Sequence, residues 1–231
     1  GVTLFDNFQQ LYSGLDLTPE IDIRATREGI KLIPADPRLA HVTVEKMPAT
    51  NNIRENMQRL WQHLELIKII LGSKKADFDY ILIDSHPELS DLLRSVVYAC
   101  DYCVSPVKLD LQSAIGVPSA IQAINEVNSD MEMIKAALGG GEDYRPTQFA
   151  GSIGMMAREW GGILKSSERV QYHRLAATGG IFKSYVTEGD GLRQAAEQRC
   201  PVFFIQGANA EKQSDQLREL TKELISRCPP R

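Results

Sequence analysis

Four short apolar runs, each set off by polar or turn residues and separated by helix-length stretches, constrain this chain more than anything else in it. They are Tyr80–Ile83, Tyr102–Val107 and Phe149–Met156, which read as buried strands, and Ile181–Val186, a strand interrupted by Lys183 and Ser184. Continuous apolar runs, unlike alternating ones, are the pattern of strands buried on both faces. Parallel strands need crossovers of a dozen residues or more, and helices supply them. The intervals are of that kind. Residues 53–71 carry Ile53, Met57, Leu60, Trp61, Leu64, Ile67 and Leu71 at helical spacing, and 112–128 carry Ile115, Ile121, Ile124 and Val127.

The remaining segments fit the same alternation. Residues 2–13 predict a helix with Leu4, Phe5, Phe8, Leu11 and Tyr12 on one face. Gly29–Ala35 reads as a short strand ending at Pro34, and Leu89–Cys100 as a helix. Gly139–Gly141 begins a polar loop that runs through Thr147. Residues 160–177 read as mostly helical, Gly191–Arg199 as a helix and Pro201–Ile205 as a short strand. Residues 209–227 form a last helix with Leu217, Leu220, Leu224 and Ile225 inward. The expected class is α/β, a mostly parallel sheet covered by helices on both faces. No internal repeat or long linker divides the chain, so 1–231 reads as a single domain.

Size and charge narrow the function classes. At 231 residues the chain can bury a core without disulfides or metals. Lys plus Arg number 26 against 30 Asp plus Glu, for a net charge of -4, which excludes a strongly basic nucleic-acid coat. No apolar run approaches the roughly 20 residues of a membrane span. Cys100 and Cys103 form a C-x-x-C, but Cys200 and Cys228 make no second close pair. Small buried thiols in a reducing cytoplasm are the expected reading.

In an open parallel sheet, ligands bind beyond the carboxyl ends of the strands. The segments after Ile83, Val107, Met156, Val186 and Ile205 are therefore the places to search. The most specific is Tyr80-Ile81-Leu82-Ile83-Asp84, an apolar strand closed by an acid. That is the form of a Walker B strand, whose carboxylate reaches the magnesium shell of a bound nucleotide. An acid there also serves as an ordinary strand-end turn or helix N-cap. The companion G-x-x-x-x-G-K-[ST] loop does not occur in these residues. Gly161-Gly162-Ile163-Leu164-Lys165-Ser166 and Gly179-Gly180-Ile181-Phe182-Lys183-Ser184 come near, but neither has Gly directly before Lys. The histidines show no metal-ligand spacing, and His86 beside Asp84 reads as an exposed turn residue rather than an acid/base partner.

Taken in order, several segments resemble the ParA/Soj/MinD group of deviant Walker ATPases, the ParA partition ATPases in particular. Thr3-Leu4-Phe5-Asp6 resembles a helix start after that family's first strands. Ile30–Ala35 with Leu39-Ala40 resembles its L-x-L-I-P-A strand. Phe78–Pro87 resembles its Walker B and switch segment, and Ala99–Val107 its A-A-D-x-V-L-I-P-V. Gly151–Met156, Ile181–Val186, Leu192–Ala195, Cys200-Pro201-Val202 and Ala210–Arg227 resemble the later elements. The likeness spans essentially the whole chain.

The resemblance implies the P-loop NTPase-like fold of the ParA/MinD type, with ATP and Mg2+ as cofactors. It makes Asp84 the Walker B acid, reaching Mg2+ through water where a P-loop is supplied. Pro87 shapes the switch, and Met155, Met156, Ile205, Gln206 and Gly207 line the adenine pocket. It implies an ATP-driven homodimer, a ParB-type centromere-binding or adaptor partner, and plasmid or chromosome segregation from the cytoplasm, or from the nucleoid if DNA is bound. The family's first strand, P-loop and following helix have no counterpart here, so the chain reads as N-terminally truncated, and Gly1 in place of Met agrees. Non-specific DNA stays open, because Glu188 and Asp190 stand where some relatives place arginines. No membrane partner is expected, since the chain ends Cys228-Pro229-Pro230-Arg231 rather than in a basic amphipathic helix. The alternatives are a ParA-like interaction protein without nucleotide and a relative that positions cargo other than DNA.

Overall fold

Thr3 opens the first helix with a reciprocal cap. Its hydroxyl accepts from the Asp6 N–H at 3.3 Å while the Asp6 carboxylate accepts from the Thr3 N–H at 2.9 Å. Helix α1 (Leu4–Tyr12) then buries Phe5, Phe8 and Leu11. The computed structural model describes residues 1–26, 28–86, 88–139 and 144–230. It divides into two compact units. The first comprises Gly1–Asp101 with Ala123–Thr147, the second Tyr102–Gln122 with Gln148–Arg231.

The first unit is mainly helical. The two-residue strands β1 (Arg24–Ala25) and β2 (Lys31–Leu32) pair antiparallel and lie exposed. Helix α2 (Ile53–Gly72) starts at Asn52, whose side-chain oxygen accepts from Arg54 N–H and Glu55 N–H. Ser90 caps α3 (Asp91–Ala99) by accepting from Leu93 N–H. Phe5, Phe8, Leu11, Val42, Met47, Leu66, Ile67 and Ile70 form the core, with Leu92 and Val96 of α3 packed against it. Burying each such side chain contributes about 1.5–3 kcal/mol.

The second unit is an α/β sandwich. Strand β3 (Tyr102–Lys108) leads into α4 (Leu111–Leu138), whose first part belongs to this unit and whose later part belongs to the first. Then come β4 (Gln148–Ala157), the hairpin strands β5 (Glu159–Trp160) and β6 (Ile163–Leu164), α5 (Ser166–Thr178), β7 (Ile181–Thr187), α6 (Asp190–Gln198) and α7 (Ala208–Arg227). Strands β3, β4 and β7 are parallel, in the order β3-β4-β7. On one face Val107, Ala157 and Ile181 pack with Ala114 and Val117 of α4 and Leu175 of α5. On the other, Ile153, Phe182 and Val186 pack with Leu220 of α7. Helices on both faces of a parallel sheet are what the apolar runs predicted.

Several local expectations are corrected. Tyr80–Ile83 is not a strand and is not buried on both faces: Ile83 packs against the first unit's core, but Leu82 is 80% exposed and the run forms no strand ladder among the described residues. Strand geometry is held by a ladder, and an apolar sequence without neighbours does not supply one. The expected strand over Gly29–Ala35 shrinks to β2. The helix expected over 160–177 begins only at Ser166. Gly161 and Gly162 hold φ of 58° and 80°, the mirror-image turn of a two-residue hairpin, which a right-handed helix cannot contain. Pro201–Ile205 holds a 3-10 turn, Val202–Phe204, in place of a strand. Helix α4 runs past its expected end to Leu138 and carries Pro118 within it. Ile225 is exposed rather than inward.

Candidate functional site

Because β3, β4 and β7 are parallel, their carboxyl ends share one edge of the second unit, and that edge has been shaped. Between Gly154↔Tyr185 and Ala157↔Thr187 the β4 strand has two residues where β7 has one. The extra residue makes a bulge, and Met156 takes a left-handed φ of 51° there. A non-glycine residue in that region costs of order 1–3 kcal/mol and persists where the surroundings fix it, most often at functional sites. The bulge separates the two methionines. Met155 packs on the inward side with Ile153 and Phe182, while Met156 is turned out and 46% exposed.

Beyond β7 the loop is held from behind by α7. Gln213, 1% exposed, donates from Nε2 to the Thr187 carbonyl at 2.8 Å and accepts at Oε1 from Leu192 N–H at 2.9 Å. Gln216 accepts from both the N–H and the hydroxyl of Thr187. Gly191 is required here, since a Cβ would lie 2.6 Å from the Ala210 Cα. At the far end of α7, Arg227 donates to the Ala150 and Ile181 carbonyls and ion-pairs with Glu223 at 2.8 Å. Burial works to raise the Glu223 carboxyl, but the N–H groups of Ser184 and Lys183 outweigh it and hold it below its usual range.

The start of α7 faces the same edge. Ile205 is buried with Val202, Ala195 and Ala210, and this cluster shares Leu192 and Leu217 with the one that holds Met155. Gln206 and Gly207 are exposed, Gly207 at φ 119°, and no side chain caps the helix after it. Of the residues expected to line a base pocket, the structure thus brings Met155 and Ile205 onto one face, with Gln206 and Gly207 following Ile205. Met156 is turned away from that packing.

The acid lies in the first unit. Asp84 is exposed directly after Tyr80–Ile83, with no hydrogen bond or ion pair among the described residues. It is neither a helix cap nor a salt-bridge partner, so its carboxylate is uncommitted. Pro87 lies outside the described residues. His86 accepts from Glu88 N–H at 3.4 Å, a turn contact.

Sequence reading missed two polar clusters. In the first unit Thr3, Asp36 and Arg38 border a cavity of about 340 Å3 that also touches Asp22 and Arg24. The Arg38 guanidinium and the Arg38 N–H hold the Asp36 carboxyl far below its usual range. In the second unit Glu159 accepts from Lys212 and from Tyr185 Oη. Lys212 chiefly lowers the Glu159 carboxyl, while burial and Glu159 push Tyr185 up to about 12. These pairs join residues far apart in sequence, and no local spacing announces them. No disulfide joins the four cysteines. Among the described residues no cluster of His, Cys, Asp and Glu could hold a metal ion, and no helix is long and apolar enough to cross a membrane.

Three comparisons bear on this geometry. The AAA domain family matches residues 9–136. A McdA variant from Cyanothece in complex with ATP superposes with a TM-score of 0.68 at 15% identity, covering 97% of this chain and 75% of that one. Apo McdA from the same source gives 0.62 at 17%, covering 92% and 76%. A protein from Corynebacterium diphtheriae gives 0.57 at 18%, covering 97% and 76%. At such identities the likeness is one of fold. No curated protein matches the chain.

Proposed function

The chain belongs to the AAA domain family, and from that premise we propose that it is a ParA-type deviant Walker ATPase of the partition and positioning kind, which binds ATP with Mg2+ and acts as a nucleotide-switched homodimer. The observation that carries this reading is the edge at the carboxyl ends of β4 and β7. A left-handed Met156 sits on a bulge there, and α7 begins at an exposed, uncapped Gly207. Met155, Met156 and Ile205–Gly207 would hold the base. Asp84, uncommitted and exposed, would reach the metal shell through water. Pro87 would shape the switch beside it.

No segment of these 231 residues carries the glycine-lysine loop that would cradle the phosphates, so the residues present do not fit them, and this reading gives the chain the base contacts and one acid toward the metal shell. The McdA relative was captured with ATP, which supports nucleotide as the ligand. When bound, ATP supplies the differential contacts that favour one state over the other. A ParB-type partner and plasmid or chromosome cargo belong to the same reading. Glu188 in the β7–α6 loop and Asp190 at the start of α6 weigh against DNA binding.

The test is sedimentation velocity on the protein as its gene encodes it, with and without a slowly hydrolysed ATP analogue and Mg2+. The native protein should dimerise with the analogue, and Asp84→Ala should not. Equal dimerisation of both removes Asp84 from the site. Failure of the native protein to bind nucleotide at all favours the rival, a ParA-like interaction protein that works without it.

A further inference from the structure

The β5–β6 hairpin turns the wrong way for a protein that ends at its own surface. In a two-residue hairpin directly paired residues share a face. Glu159 pairs with Leu164, and both turn inward. Leu164 packs on the core beside Leu175, and Glu159 is held by Lys212 and Tyr185. Trp160 pairs with Ile163 on the other face, where they are 86% and 62% exposed. Isolated exposed apolar residues are ordinary. A cross-strand tryptophan–isoleucine pair at the tip of a pinned turn is not, because Gly161 and Gly162 fix its geometry and Arg158 anchors its base.

The charges around the tip are sorted in the same sense. Both acids of the segment are turned inward and neutralised, Glu159 by Lys212 and Glu168 by Arg158 at 2.6 Å. Their side chains are 12% and 5% exposed. The cations that remain point to solvent. Lys165 follows the hairpin directly, Arg169 lies one turn further along the same flank of α5, and Arg174 stands beyond. All three are exposed, with no carboxylate in ion-pair distance among the described residues. Exposed Val170 lies between them.

We propose that the Trp160–Ile163 tip with Lys165 and Arg169 is a docking site for an anionic phospholipid surface. Tryptophan favours the boundary between water and hydrocarbon, and an aliphatic neighbour deepens its insertion. Basic residues at the base of the tip then meet the headgroups. A stable protein interface needs about 800 Å2 from each partner, more than a six-residue convex hairpin supplies. Nucleic acid would use the cations but gives Ile163 and Val170 nothing to pack on.

The experiment is co-sedimentation of the protein with vesicles of phosphatidylcholine, alone or mixed with phosphatidylglycerol, alongside tryptophan emission. Binding is expected only with phosphatidylglycerol, accompanied by a blue shift that disappears in Trp160→Ser. Each cation near such a surface is worth about a factor of five. Lys165→Glu with Arg169→Glu should therefore weaken binding by about twentyfold or more. Because the changed side chains are exposed, unaltered circular dichroism is expected and serves as the folding control. Equal binding to neutral vesicles, binding unchanged by Trp160→Ser, or Trp160-dependent binding of duplex DNA without any of vesicles would each overturn the proposal.

Discussion

Tyr80–Ile83 and Ile181–Val186 both read as strands, and their fates differ. In the second unit β7 lies in a parallel ladder with β4, and Phe182 and Val186 are fully buried beneath α7. In the first unit Tyr80–Ile83 forms no strand and is largely exposed. Side-chain pattern decides which face of a strand can be buried. A ladder decides whether there is a strand at all. The two units also hold their polar groups differently. The second satisfies loop backbone with the amides of Gln213 and Gln216. The first buries a histidine: His63 is 1% exposed, with Nε2 at 3.2 Å from the Tyr12 hydroxyl and Nδ1 at 3.2 Å from Ser95 Oγ.

These differences can be broken experimentally. The largest effect belongs to Phe182→Ala, which empties a fully buried site between sheet and α7. It should cost about 3–5 kcal/mol in urea unfolding. A loss under about 1 kcal/mol would mean that the α7 face is not packed as described.

The histidine comes next. Burial, opposed by Asp91 and reinforced by Arg94, depresses His63 from 6.5 to about 4. A base whose folded pKa is lowered binds its proton more readily in the unfolded chain. Its contribution is therefore complete above pH 6.5 and is lost as pH falls toward 4. The loss over that window should reach at most about 3 kcal/mol, and His63→Gln should flatten it. An equal slope in both proteins would show that another group titrates.

Smallest of all is Leu82→Ser, in the exposed run. It should shift stability by less than about 0.5 kcal/mol, as at an ordinary surface position. A cost near that of Phe182→Ala would show that Tyr80–Ile83 is covered after all, and the contrast between the two runs would collapse.

Much of the fold is legible in the residues, and what is not has particular causes. The α1 face, α2, β3, β4 and β7 follow from the apolar pattern, and so does α7 apart from Ile225, which its pattern placed inward. The hairpin at Glu159–Leu164 was masked by the helical stretch after it, although Gly161-Gly162 is a turn signal in its own right. The short β1 pairs with β2 through two exposed residues that carry no apolar pattern. The Met156 bulge depends on register between strands far apart in sequence, which local pattern does not encode. Asp84 was readable as an acid closing an apolar run, and its being uncommitted needed coordinates. Glu159, Lys212 and Tyr185 meet only because α7 folds back over the sheet.

Photolabelling with an azido-substituted ATP analogue, mapped by mass spectrometry, tests the nucleotide site most directly. The label is expected on peptides carrying Met155–Met156 or Ile205–Gly207 and should be displaced by unmodified ATP. Displaceable label confined to other segments would contradict the assignment of the base to that edge.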